Sequence, residues 1–283
     1  MRRSLLPRSV VLAHVAAALV ACSSEDRSAA LPVETVESGF RLSRDAFAFA
    51  NFAGPDAAAQ VTPETIARMF GDAGTCITRN SGACEPTELA SLWMDHINRA
   101  MNGGRCEGFA VLSALIYAGS LRSVDFGASD THALALAGNT KLATEIAYWF
   151  STQFLQSVAR SHTKALGANE AVSFLASVLP DRSELYRIGL VRIDGTGKRT
   201  GGHAVLPYAV IPQGEGRYRI AVYDNNHPDE ERFIEVDAKV DRWSYRASSN
   251  PADPQAVYEG TPENQNKLYL APVTPRLGVQ PCP

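Results

Sequence analysis

Two short segments hold the residue types that nucleophilic acyl chemistry requires. The first is Gly103-Gly104-Arg105-Cys106-Glu107-Gly108-Phe109-Ala110-Val111-Leu112. Paired glycines let the backbone turn tightly and leave room for a substrate to approach. The helix that follows puts Cys106 in its first turn, where unpaired amides and the helix dipole favour a thiolate. Phe109, Val111, Leu112, Leu115, Ile116 and Tyr117 make that helix apolar on nearly every side. Such a helix belongs inside the fold, with only its N-terminus reaching a cleft. Cys106 taken alone reads equally well as a buried or bridged structural thiol.

The second segment runs from Gly201-Gly202-His203 to Ile211, turns through Pro212-Gln213-Gly214-Glu215-Gly216 and returns from Arg217 to Asn226. On the return strand Tyr218, Ile220 and Val222 alternate with Arg217 and Arg219. Asp224 continues the apolar face and so points inward, where a lone carboxylate is costly. It needs a partner. If Pro212 to Gly216 form a five-residue loop, Ile211 pairs with Arg217 and His203 faces Asn225, with Asp224 adjacent. A bulge at Pro207 would set His203 opposite Asp224 instead. Either register joins imidazole to carboxylate, the geometry of a base and the acid that orients it. Asn225 is the alternative third member if the register is off by one.

The order Cys106, His203, Asp224, with the cysteine at the start of a buried helix and the other two on a following antiparallel sheet, resembles the papain-like and transglutaminase-like cysteine enzymes. The resemblance spans roughly Trp93 to Val236. It implies an α+β fold, papain-like or transglutaminase-like, and a thiolate of Cys106 that attacks an amide carbonyl. His203 would then shuttle the proton and Asp224 would orient His203, with no cofactor and no metal. The implied substrate is a protein, a peptide or a cell-wall peptide. The chain departs from the papain pattern at Ala100, which stands where those enzymes carry an oxyanion glutamine, and at the flanks Arg105 and Glu107. The Cys106 amide can supply one oxyanion donor, and Asn98, Asn102 and Gln153 are the side chains available for a second. Water or an amine could accept the acyl group, so a hydrolase and a transglutaminase-type acyl transfer are both open. A non-enzymatic envelope or adhesion lipoprotein with Cys106 in a disulfide is the rival of a different class.

The N-terminus reads as an address. Arg2, Arg3 and Arg8 precede the apolar run Val10 to Ala21, which is too short to span a bilayer and matches a secretory signal. The run ends in Leu19-Val20-Ala21-Cys22, which resembles the lipobox of bacterial lipoproteins. That resemblance implies cleavage before Cys22, a diacylglycerol on its thiol, and anchorage to a membrane. Ser23 rather than Asp after the cysteine implies the outer membrane or surface of a Gram-negative cell. The division that follows is a signal peptide at 1–21, a polar tether at 22–39 and one domain at 40–283, helical over 60–180 and sheet over 185–272. Removing residues 1–21 takes three arginines and no acid, so the formal charge of −3 becomes −6.

Cys76 and Cys84 lie eight apart in a Gly/Ser/Asn-rich stretch and suit a small disulfide loop in an oxidising compartment. A Cys106 bridge to Cys84 or Cys282 is open on sequence grounds. With no CxxC or HxxxH pair, zinc has no framework. The 283 residues are 45% hydrophobic and 20% charged, which suits a globular chain with a real core. Lys+Arg at 27 against Asp+Glu at 30 speaks against a nucleic-acid partner.

Periodicity supplies the elements that must position these groups. Thr62 caps a helix that begins at Pro63 and reaches Phe70. Leu89, Leu92, Trp93, Ile97, Ala100 and Met101 recur at helical spacing up to Asn102-Gly103-Gly104. Further helices are expected from Cys106 to Tyr117, from Asn139 or Thr140 to Phe154, and from Glu170 to Leu179. Strands are expected at 186–193, 204–211, 217–223, 232–236 and 267–271. Helices first and antiparallel strands second define an α+β chain.

Overall fold

Helices fill the first half of the chain and a sheet the second, in a computed structural model that describes residues 30–161, 165–246, 257–264 and 266–282. The signal segment at 1–21, Cys22 and the first part of the tether lie outside the described residues. The main helices are α1 (Pro63–Phe70), α2 (Glu88–Ala100), α3 (Cys106–Tyr117), α4 (Thr140–Ser151) and α5 (Ala168–Val178). Local chemistry sets their starts. The Thr62 and Thr87 hydroxyls cap α1 and α2, and the Asn139 side chain accepts the Leu142 N–H to cap α4.

The sheet comprises β1 (Val36–Glu37), β4 (Tyr186–Ile193), β5 (Arg199–Gly214), β6 (Arg217–Tyr223), β7 (Arg232–Asp237), β8 (Arg242–Arg246), β9 (Val257–Gly260) and β10 (Leu268–Pro272). Its order is β10-β4-β5-β6-β7-β8-β9, every pairing is antiparallel, and β1 adds to β5. A separate hairpin of β2 (Cys76–Asn80) and β3 (Ala83–Pro86) carries the Cys76–Cys84 disulfide, with Cα atoms 5.4 Å apart. Cys106 and Cys282 are free thiols, so neither bridge left open for Cys106 forms.

Helix α3 is the buried centre. Phe109, Val111, Leu112 and Ala114 are fully buried, between α4 and the long strand β5. Gly108 makes the close crossing with α4, because a Cβ there would lie 2.1 Å from the Ile146 carbonyl oxygen. A second core lies where Val172 and Leu175 of α5 meet Ile188, Leu190 and Ile220 of the sheet.

Three expectations need correction. Leu89 and Leu92 are 62% and 60% exposed; the buried stripe of α2 is Ala90, Ile97 and the following Met101, with Trp93 and Met94 partly covered. That set keeps the i, i+3, i+4, i+7 spacing, and the leucines fall off it. Phe154 lies beyond the end of α4, on a half-exposed 3₁₀ turn. The β5–β6 hairpin turns over two residues, Glu215 and Gly216, not five: Gly214 pairs with Arg217 and Leu206 with Tyr223. Both turn residues have positive φ, +56° and +78°, the conformation that two-residue hairpins demand. The bulge at Pro207 is present, a second one lies between Pro212 and Gly214, and His203 itself pairs with Leu190 of β4.

Candidate active site

Cys106 is the first residue of α3 and half-buried. The turn before it depends on Gly104, whose φ of +114° favours glycine and whose Cβ would meet the Asn51 amide nitrogen at 2.9 Å. Asn51 ties the turn to the sheet. Its Oδ1 accepts the Arg105 N–H at 2.7 Å, its Nδ2 donates to Asn226 Oδ1 at 2.9 Å, and its own N–H donates to the Asn225 carbonyl at 2.6 Å. The fully buried Arg105 guanidinium donates to the carbonyls of Ala59, Phe52 and Gly54 at 3.1–3.2 Å. Arg105 thus holds the 51–59 segment against the turn.

His203 Nε2, on β5, lies 2.6 Å from Oδ1 of Asp224, which is one residue past the end of β6, and both side chains are buried. Asp224 is further held by the Asn226 N–H at 2.9 Å and by the Tyr245 hydroxyl, which donates to Oδ2. Burial works against the Asp224 charge, but His203, Tyr245 and the Asn226 N–H bring its pKa down to about 2. Burial would lower His203; the charge and hydrogen bond of Asp224, joined by Cys106, raise it to about 10. Burial and the adjacent Asp224 push the Tyr245 phenol well above its ordinary value, so it stays a donor. With Nε2 committed to Asp224, Nδ1 is the nitrogen left for the Cys106 thiol.

The raised His203 contributes stability that is fully present below its unfolded value near 6.5 and is lost as pH rises through about 10. The depressed Asp224 contributes stability present above about 3.8 and lost as pH falls through about 2. The stability gap between the wild type and His203→Ala should therefore be widest near pH 5–6 and shrink steadily towards pH 10. Urea midpoints of both proteins across that range test this, and a gap that widens with pH would contradict the pairing.

Asn225, the next residue past the strand end, is also fully buried. Its Nδ2 donates to the carbonyls of Cys106 at 3.1 Å and Ala204 at 3.0 Å, so it braces the start of α3 against β5. Beside Cys106, the buried Glu107 takes both Arg187 Nε at 2.8 Å and Arg276 Nη2 at 2.6 Å on one oxygen. Arg276 also donates to Thr152 Oγ1 at 2.8 Å.

A cleft of about 300 Å³ opens at Cys106 and His203, with Gln153, Arg187, Arg199 and Gly202 among its walls. Of the three oxyanion side chains proposed from sequence, only Gln153 reaches it. Asn98 spends both polar atoms on the backbone of Val61, at 2.9 and 3.1 Å, and Asn102 is exposed and outside the lining. Sequence reasoning missed Asn51, Tyr245 and the Glu107 cluster. Tyr245 had a signal in the alternation Arg242-Trp243-Ser244-Tyr245-Arg246; Asn51 had none. No family model, curated protein or solved structure matches this chain.

Proposed function

We propose that this chain is an exported, lipid-anchored cysteine enzyme of papain-like or transglutaminase-like kind that cleaves amide bonds in protein, peptide or cell-wall peptide substrates. The observation that supports it most is a free thiol at the head of a buried helix, beside an imidazole whose far nitrogen is bound to a buried carboxylate. The Cys106 thiolate adds to the carbonyl carbon, and the oxyanion is met by the Cys106 amide and the Gln153 side chain. The His203 imidazolium gives its proton to the leaving amine as the C–N bond breaks, leaving a thioester. Neutral His203 then takes a proton from water, the hydroxide adds to the thioester, and carboxylate and thiol are released. Asp224 holds the imidazole in one tautomer throughout.

Incubation with mixed peptides should give new free-carboxylate products by mass spectrometry, and Cys106→Ala should abolish them. Peptides left intact by the wild type would sink the reading. The anchor is tested apart from the chemistry. Cys22→Ser should move the exported protein from the membrane to the soluble fraction without lowering its urea midpoint; retention after a salt wash would refute the lipid.

A further inference from the structure

We infer that the cleft selects amides with a carboxylate beside the scissile bond and that Arg199 reads that carboxylate, an inference that rests on the cysteine-enzyme reading above. The charged residues in the cleft wall, apart from the reacting pair, are Glu107, Arg187 and Arg199. Glu107 has no charge to spare. Its Oε1 is shared by the buried guanidiniums of Arg187 and Arg276. Arg199 brings a positive charge on an exposed side chain. Its Nε donates a long 3.4 Å bond to the Gly201 carbonyl, and no carboxylate among the described residues pairs with it.

Gly202 explains why the guanidinium lies there. A Cβ on Gly202 would stand 2.0 Å from Arg199 Nη2 and 3.0 Å from its Nε, so the side chain is folded over the residue adjacent to His203. Gly202 does not have positive φ, so alanine fits its backbone and would only displace the flexible arginine tip. A planar fork of N–H donors next to the base, in a cleft whose one acid is neutralised, matches a carboxylate in charge and shape. An acidic side chain and a free C-terminus both present that group.

The test compares iodoacetate with iodoacetamide, which form the same C–S bond with loss of iodide but differ by one negative charge. Rates are read at the Cys106 peptide by mass spectrometry in the full chain, with exposed Cys282 as internal reference. Arg199→Gln should lower the iodoacetate-to-iodoacetamide ratio at Cys106 about fivefold, the scale of one charge removed near a protein surface. Gly202→Ala keeps the charge but displaces it, and should lower the ratio as well, while the ratio at Cys282 stays constant. A wild-type ratio in either variant overturns the assignment. Peptide pairs with Glu or Gln beside the scissile bond, and with a C-terminal acid or amide, then identify which source of carboxylate is read. Absence of turnover on every amide would overturn the proposed function while leaving the alkylation ratio to stand or fall by itself.

Discussion

Asp224→Asn should slow amide turnover by about 10²–10⁴-fold while the fold and the free thiol survive. Both carboxylate oxygens already accept: Oδ1 from His203 Nε2 and the Asn226 N–H, Oδ2 from Tyr245. An asparagine has one acceptor oxygen and one donor nitrogen in their place. If the oxygen stays with Tyr245, the amide nitrogen faces His203 Nε2 and the Asn226 N–H. The imidazole must then turn Nε2 into an acceptor and carry its proton on Nδ1, towards the thiol it should deprotonate. Tyr245→Phe removes only one of the donors and should cost less, on the order of tenfold. Steady-state kcat/KM for the three proteins decides the matter. Asp224→Asn at wild-type activity would remove the carboxylate from the mechanism, and Tyr245→Phe harsher than Asp224→Asn would mean that the phenol contacts the substrate.

The largest stability loss is expected at Glu107, which no substrate need touch. Glu107→Ala leaves the buried guanidiniums of Arg187 and Arg276 facing one another without their shared carboxylate. Burial alone would raise the Glu107 pKa, yet the two arginines hold it below the ordinary carboxylate range, so the charge is present at neutral pH. Breaking one partner out of such a cluster costs about 3–5 kcal/mol. That is a large share of the 5–15 kcal/mol by which domains are typically stable. Denaturant titration should show the loss as a shifted midpoint, and Glu107→Gln, which keeps shape and some hydrogen bonding, should fall between. A loss below about 1 kcal/mol for Glu107→Ala would mean that water solvates both arginines there.

Cys106, His203 and Asp224 were legible as candidates because each sits in a local pattern: a glycine turn before an apolar run, a strand after paired glycines, an acid in phase with Tyr218, Ile220 and Val222. Their meeting was legible although the hairpin register was not. Pro212 to Gly216 look like one loop, but backbone pairing extends through Gly214 and leaves only Glu215-Gly216 to turn. Two bulges in β5, at Pro207 and between Pro212 and Gly214, shift the register back, and His203 stays within reach of Asp224, which lies past the strand end. Helix α2 shows the opposite failure. Leu89 and Leu92 far outrank alanine in hydrophobicity, yet alanine at 90 is buried and they are not, because phase decides burial before side-chain size does. Asn51 was beyond reach for another reason. Its three bonds run to Arg105, Asn225 and Asn226, partners 54 to 175 residues away, and nothing near it in the chain announces them.

A nascent chain acquires Glu107 long before it acquires Arg187, and Arg276 comes 169 positions later. Until both arginines arrive, the helix that bears the thiol carries an unneutralised acid on a side destined for the interior. The cost of burying that acid alone discourages early docking of the helix. The cluster around Cys106 therefore assembles only when nearly the whole polypeptide has been made, and a truncated molecule is left without it.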